Sequence, residues 1–74
     1  MARQSSEFQV RCRLRVLRAE KDITQEDLAA AVRVTRQTII SLEKDDYTPS
    51  LLLAYALARY FGKSIEEVFT IEEG

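Results

Sequence analysis

Arg36, Gln37, Ile40, Ser41 and Lys44 are the residues whose types and spacing offer a definite chemistry. On a helix from about Arg36 to Lys44 they share one face, while Ile39 and Leu42 turn to the other. Arg can fork onto the acceptor edge of a guanine, Gln can pair with adenine, and an aliphatic group can meet a thymine methyl. Arg36, Gln37 and Ser41 are therefore candidate readers of base edges, with Ile40 offering methyl contact. Thr35, Thr38 and Lys44 are candidates for holding backbone phosphates. A polar surface helix would look similar, but an outward Ile40 asks for a partner. Other chemistries lack their parts. The chain has no His and one Cys, Cys12, so it cannot build a His-based triad or a Cys/His zinc site. Its two glycines, Gly62 and Gly74, cannot form a phosphate-cradling loop. The carboxylate pairs read as helix-start or surface charge, so no enzyme activity, metal or cofactor is expected.

The stretch that must position these residues runs from Thr24 to Lys44, TQEDLAAAVRVTRQTIISLEK. It reads as two short helices joined by a tight turn. Thr24 and Asp27 have capping-box spacing, and Leu28, Ala29 and Val32 recur at helical spacing. Val34 is an apolar plug in the turn, and Thr35 is a good N-cap for the second helix. An earlier helix runs from about Arg13 to Lys21, with Leu14, Leu17 and Arg18 on one face. After the Tyr47–Ser50 turn, a helix spans about Leu51 to Tyr60 and ends at Gly62. Its expected inner face is Leu51, Ala54, Leu57, Ala58 and Phe61. Ser64 and Glu67 then cap a short fifth helix holding Ile65 and Val68.

Two short segments show period-two patterning. Phe8, Val10 and Cys12 alternate with Gln9, Arg11 and Arg13; Phe69 and Ile71 alternate with Thr70 and Glu72. The reading is an antiparallel ribbon joining the two ends, with Arg11 or Arg13 near Glu72 or Glu73. Cys12 would pack beneath it as a small apolar residue. Residues 1–6 are polar and expected to be a disordered tail.

With 74 residues, the expectation is one domain over 7–74, near the lower size for unaided folding. No apolar run approaches a membrane span, no leader pattern is evident, and the lone cysteine fits a reducing compartment, so a cytoplasmic location is expected. The net charge of −1 is low for a partner of nucleic acid. The charge is uneven, however: residues 1–21 are basic and residues 45–74 acidic. The helix after Ser50 is apolar on its second face too, through Leu52, Tyr55, Ala56 and Tyr60. A helix apolar nearly all round is usually covered on both sides. In so small a chain the second cover is expected to be another copy, with Leu52, Tyr55, Tyr60 and Phe69 as the dimer interface. Singly exposed apolar residues are the plainer reading.

The stretch resembles the helix-turn-helix of the phage-repressor and Cro-like (XRE-type) transcription regulators. The resemblance rests on Gln25, Leu28, Ala29, Val34, the run Thr35 to Ile39, and Leu42, Glu43 and Lys44. It continues through Tyr47, Pro49, Ser50, Leu51, Phe61, Gly62 and the run Ile65 to Phe69. It spans roughly residues 12–73 and is closest to very small members that end in a β-strand. It implies a mainly α fold: a five-helix repressor-like DNA-binding domain with a short antiparallel β-ribbon. It implies double-stranded DNA as partner; the two-fold dimer expected from the apolar second face of the Leu51–Tyr60 helix would then bind a near-palindromic operator with half-sites about one helical turn apart. Gln25 would grip a DNA phosphate at a helix start. Arg18 would either touch phosphate or, the reading favoured here, pair internally with Glu43. Asp22 and Arg33 stand where the family usually has glycine. At Arg33 a left-handed backbone would cost roughly 1 kcal/mol unless the turn is altered, and Arg33 is also a candidate phosphate contact. Asp45 and Asp46 would repel a DNA backbone unless they face away. A second function class uses the same fold mainly to hold another protein, as an antitoxin or adaptor does.

Overall fold

The computed structural model describes residues 8–73; the tail expected over residues 1–6 lies outside them. The order of elements is β1 (Phe8–Cys12), α1 (Leu14–Lys21), α2 (Gln25–Val32), α3 (Arg36–Glu43), α4 (Leu51–Phe61), α5 (Ile65–Val68) and β2 (Phe69–Glu73). The fold is mainly helical, with a two-stranded antiparallel sheet joining the ends. No described helix is long and apolar enough to cross a membrane.

The helices begin and end by local chemistry. Thr24, Thr35, Ser50 and Ser64 each accept the backbone N–H three residues on, satisfying a donor that the helix itself leaves free. Asp27 and Glu67 return the bond to the N-cap N–H, completing two capping boxes. Those N–H donors hold both carboxyls below the ordinary range. At the other ends, Asp22, Arg33, Asp45 and Gly62 take left-handed φ of 58°, 63°, 60° and 68°. Each turn carries the same pair of closing bonds, for example Ile23 N–H to Arg18 O and Asp22 N–H to Ala19 O, both at 3.2 Å. The left-handed backbone expected at Arg33 is present, and Asp45 adds one that its sequence position did not signal.

The core comprises Leu14 and Leu17 of α1, Leu28 and Ala29 of α2, Ile39 and Leu42 of α3, and Ala54, Leu57 and Ala58 of α4. Val68 and Phe69 close it. Ile23 and Val34 pack against it from the turns, where each follows a left-handed residue. In the ribbon, Val10 faces Ile71 and Cys12 faces Phe69. Residues directly opposite share a sheet face, so Phe8, Val10 and Cys12 line up with Ile71 and Phe69. Burial fades along that face: Phe69 is 6% exposed, whereas Phe8 and Ile71 are 48% and 57% exposed. Among the described residues the ribbon is buried at its inner end and half-exposed toward Phe8 and Ile71.

Three expected positions change. Phe69 belongs to the core, because the step from α5 into β2 turns its ring inward beside Cys12, and so it is not free to form an interface. Leu51 is 77% exposed rather than inner. It is the first residue of α4, its side chain leans toward the helix N-terminus, and the exposed turn there does not cover it. Tyr60 is half-buried: it meets Phe61 edge-on at 5.1 Å, and the Lys21 ammonium sits 5.4 Å from its ring centre.

Candidate nucleic-acid interface

The face around α3 is built from the inside out. Ile39 and Leu42 fix α3 to the core, and α2 packs against it. Between α1, α2 and α3 sits Glu43, whose side chain is 1% exposed. Arg18 reaches it with a two-pronged contact, Nε to Oε2 at 2.6 Å and Nη2 to Oε1 at 3.1 Å. Arg18 also donates Nη1–H to the Ile23 carbonyl at 3.1 Å, and its side chain is 17% exposed. Gln25 Nε2 donates to Glu43 Oε1 at 3.0 Å. Burial pushes the Glu43 carboxyl up, but the bonds from Arg18 and Gln25 and the charges of Arg18 and Arg15 outweigh it, leaving it below the ordinary range. Among the described residues no buried side-chain polar atom lacks a partner. The three-element junction is therefore held by a satisfied charged group rather than by apolar packing alone.

Outside this junction lie two open clefts. One is lined by Arg18, Ile23, Thr24, Gln25, Glu26 and Arg36, which brings Gln25 and Arg36 together although eleven positions separate their numbers. The other is lined by Thr35, Gln37, Thr38, Ser41 and Tyr47. Arg36 and Gln37 are exposed in the first turn of α3; Ser41 and Ile40 are half-buried further along. Ile40 is thus less open than its outward position suggested. Thr35 and Thr38 hold each other, their hydroxyl oxygens 3.1 Å apart, while Thr35 Oγ1 also caps the Thr38 N–H at 3.3 Å. Their first role is to start α3. Arg33 and Lys44 are exposed at the ends of α2 and α3.

Sequence reasoning missed Tyr47 and left the direction of Asp45 open. Tyr47 is exposed beside Gln37 and Ser41, brought there by the loop after α3. No spacing rule points to it. Asp45 is turned to the ribbon: its Oδ1 accepts the Cys12 N–H at 3.1 Å and its Oδ2 lies 3.6 Å from Arg11 Nη1. Cys12 donates its thiol to Leu42 O at 3.0 Å. Burial raises that thiol's pKa, so it stays protonated and structural. Arg11 also meets Glu72 at 3.2 Å, the cross-ribbon pair expected for Arg11 or Arg13. The end of α3 is thus tied to the ribbon by Asp45, while Asp46 is exposed.

A capped, left-handed turn joining two short helices, with Arg and Gln outward on the second, is the framework of a DNA-binding helix-turn-helix protein. The family described as helix-turn-helix, of the Cro/C1 type, matches residues 14–68, and the chain belongs to this family of transcriptional regulators. It is 49% identical over 61 residues to an HTH-type transcriptional regulator of Methanocaldococcus jannaschii, a match covering 82% of this chain and 92% of that protein. It is 33% identical over 61 residues to the transcriptional repressor RstR of the cryptic phage CTXphi in Vibrio cholerae, covering 82% of this chain and 55% of RstR. Among solved structures, the clp gene regulator ClgR of Corynebacterium glutamicum superposes with a TM-score of 0.67 at 31% identity, over 73% of this chain and 57% of that one.

Proposed function

We propose that this chain is a sequence-specific repressor that binds a near-palindromic operator as a homodimer. The observation that carries this reading is the exposure of Arg36 and Gln37 at the start of a helix pinned from behind by the core and by Glu43. Residues 7–74 act as one helix-turn-helix domain, with the motif at 24–44, working in the cytoplasm. Arg36, Gln37, Ile40 and Ser41 read base edges. Gln25, Arg33, Thr35, Thr38 and Lys44 hold the phosphates on either side. The dimer forms through Leu52 and Tyr55, joined by Leu51 and by the free edge of Tyr60. Leu51 and Leu52 are each 77% exposed, and such neighbours on one helix end favour a covering partner. Two recognition helices then meet successive major grooves about 34 Å apart.

Selection from random duplex DNA at moderate salt tests this, run beside an Arg36→Ala, Gln37→Ala variant. Recovery of a two-fold symmetric site by the native protein alone is the expected result. A folded native protein that recovers no site would instead favour the second reading, an antitoxin-like or adaptor protein. That reading is kept by the same exposed leucines and by the net charge of −1.

A further inference from the structure

We propose that Arg15 is a DNA phosphate contact, the charged half of a clamp it forms with Gln25 above Glu43. The proposal rests on the DNA-binding reading and adds a residue to it. Three donors converge on one carboxylate oxygen: Glu43 Oε1 has Gln25 Nε2 at 3.0 Å, Arg18 Nη2 at 3.1 Å and Arg15 Nε at 3.9 Å. Two guanidinium groups therefore share one carboxylate. Arg18 matches that charge, since it sits 2.6 Å from Oε2 and has turned all three of its nitrogens inward. Arg15 is the surplus. Its side chain is 73% exposed, it lies beyond hydrogen-bond reach of Glu43, and among the described residues Glu43 is its only ionic neighbour.

The neighbouring amide is already oriented. A carboxylate only accepts, so Gln25 must turn its nitrogen to Glu43, and that nitrogen keeps a second N–H. Gln25 opens α2, where the first N–H groups have no helical partner. Thr24 and Asp27 satisfy each other through the capping box, which leaves the N–H groups of Gln25 and Glu26 for an anion. Gln25 carries no charge, however, and the Glu26 carboxylate lines the same cleft and opposes an anion. Arg36 lines that cleft too but is assigned to base edges, and Arg18 is spent on Glu43, so Arg15 of α1, 3.9 Å from the same Glu43 oxygen, is the arginine left to meet a phosphate beside Gln25. Its forked nitrogens suit a phosphate, which they can meet with two parallel bonds.

The test is a titration of the duplex recovered by selection, over a salt series, with native protein, Arg15→Gln and Arg15→Lys, beside thermal melts of each. Arg15→Gln is expected to bind about tenfold more weakly at moderate salt. Its dependence of log affinity on log salt should be shallower by about one unit, with melting and base preference unchanged. Arg15→Lys should retain most of the slope. Native affinity and slope in Arg15→Gln would overturn the clamp while leaving the DNA reading intact. So would a weaker Arg15→Gln that melts earlier and keeps the native slope, since that describes a structural residue. A folded native protein that binds no duplex at low salt would remove the DNA reading and the clamp together.

Discussion

The two ends of this small domain are finished to different degrees. Where α1, α2 and α3 meet, three hydrogen bonds from Arg18 and Gln25 to Glu43 tie the helices together, and a fourth ties Arg18 to the Ile23 carbonyl in the turn. On α4 and at the ribbon tip, apolar groups stand in the open: Leu51, Leu52 and Tyr55 on one, Phe8 and Ile71 on the other. The first arrangement holds a helix in one pose, as reading a groove requires. The second leaves apolar area uncovered, as an association surface does. The difference teaches that rigidity and stickiness are assigned to separate regions. Changes at the junction should act on folding, and changes on α4 on assembly.

The largest expected effect breaks the junction. Arg18→Met leaves the Glu43 carboxylate buried without its cation, a loss of about 3 kcal/mol. In a domain of this size that lowers the melting temperature by roughly 15 °C. A native melt with DNA binding abolished would move Arg18 from the junction to the DNA face. Acid should weaken the same site. The Glu43 carboxyl is depressed in the folded chain, so its stabilisation is full above the carboxyl pKa of the unfolded chain. It is lost as pH falls through the lower folded value. Denaturant unfolding from neutral to acid pH should show this decline, and Glu43→Gln should flatten it. An equally steep decline in that variant would place the acid-sensitive group elsewhere.

A smaller effect sharpens the contrast from the turn. Arg33 holds φ 63°, so Arg33→Gly should raise stability by about 1 kcal/mol. If Arg33 also meets phosphate, DNA affinity should fall in the same variant, which separates the two properties at one position. A lower melting temperature would mean that the arginine side chain compensates for its backbone. The smallest effect, at Asp46, lies in the loop after α3. Asp46 is exposed, and Asp46→Lys should modestly tighten binding to any duplex. Asp45→Ala should instead cost about 1 kcal/mol of stability, since it removes the acceptor of the Cys12 N–H. Equal effects of the two changes on binding would show that Asp45 faces DNA as well.

Much of this architecture was legible because its signals are local. Thr24 with Asp27 and Ser64 with Glu67 announce helix starts through bonds made within three residues. The alternation in Phe8–Cys12 and in Phe69 to Glu72 announced the ribbon but left its register open, with Arg11 or Arg13 near Glu72 or Glu73; Arg11 with Glu72 is the pair formed. The Arg18 to Glu43 pair was legible only through resemblance, because nothing local links residues so far apart. What escaped the sequence depends on how the chain returns on itself. Asp45 could be read either as a charge against DNA or as one facing away, and its left-handed backbone settles it by placing the carboxylate on β1. Phe69 looked like a surface aromatic, but its place at the α5 to β2 step turns it inward. Leu51 fitted the inner stripe of α4 by spacing, yet it sits one turn too early to be covered. The outward set of α3 was readable by period, although Ile40 is more enclosed than period alone suggests.

In the proposed assembly one face of the domain reads DNA while another joins two copies. Native mass spectrometry of the protein on the duplex recovered by selection tests it most directly, with Leu52→Glu as the comparison. Two chains per duplex are expected for the native protein. Single chains, bound weakly to a half-site, are expected for Leu52→Glu, which keeps the Glu43 junction and a native helical spectrum. One native chain per duplex at saturation, or two chains of Leu52→Glu bound as tightly as the native protein, would contradict it.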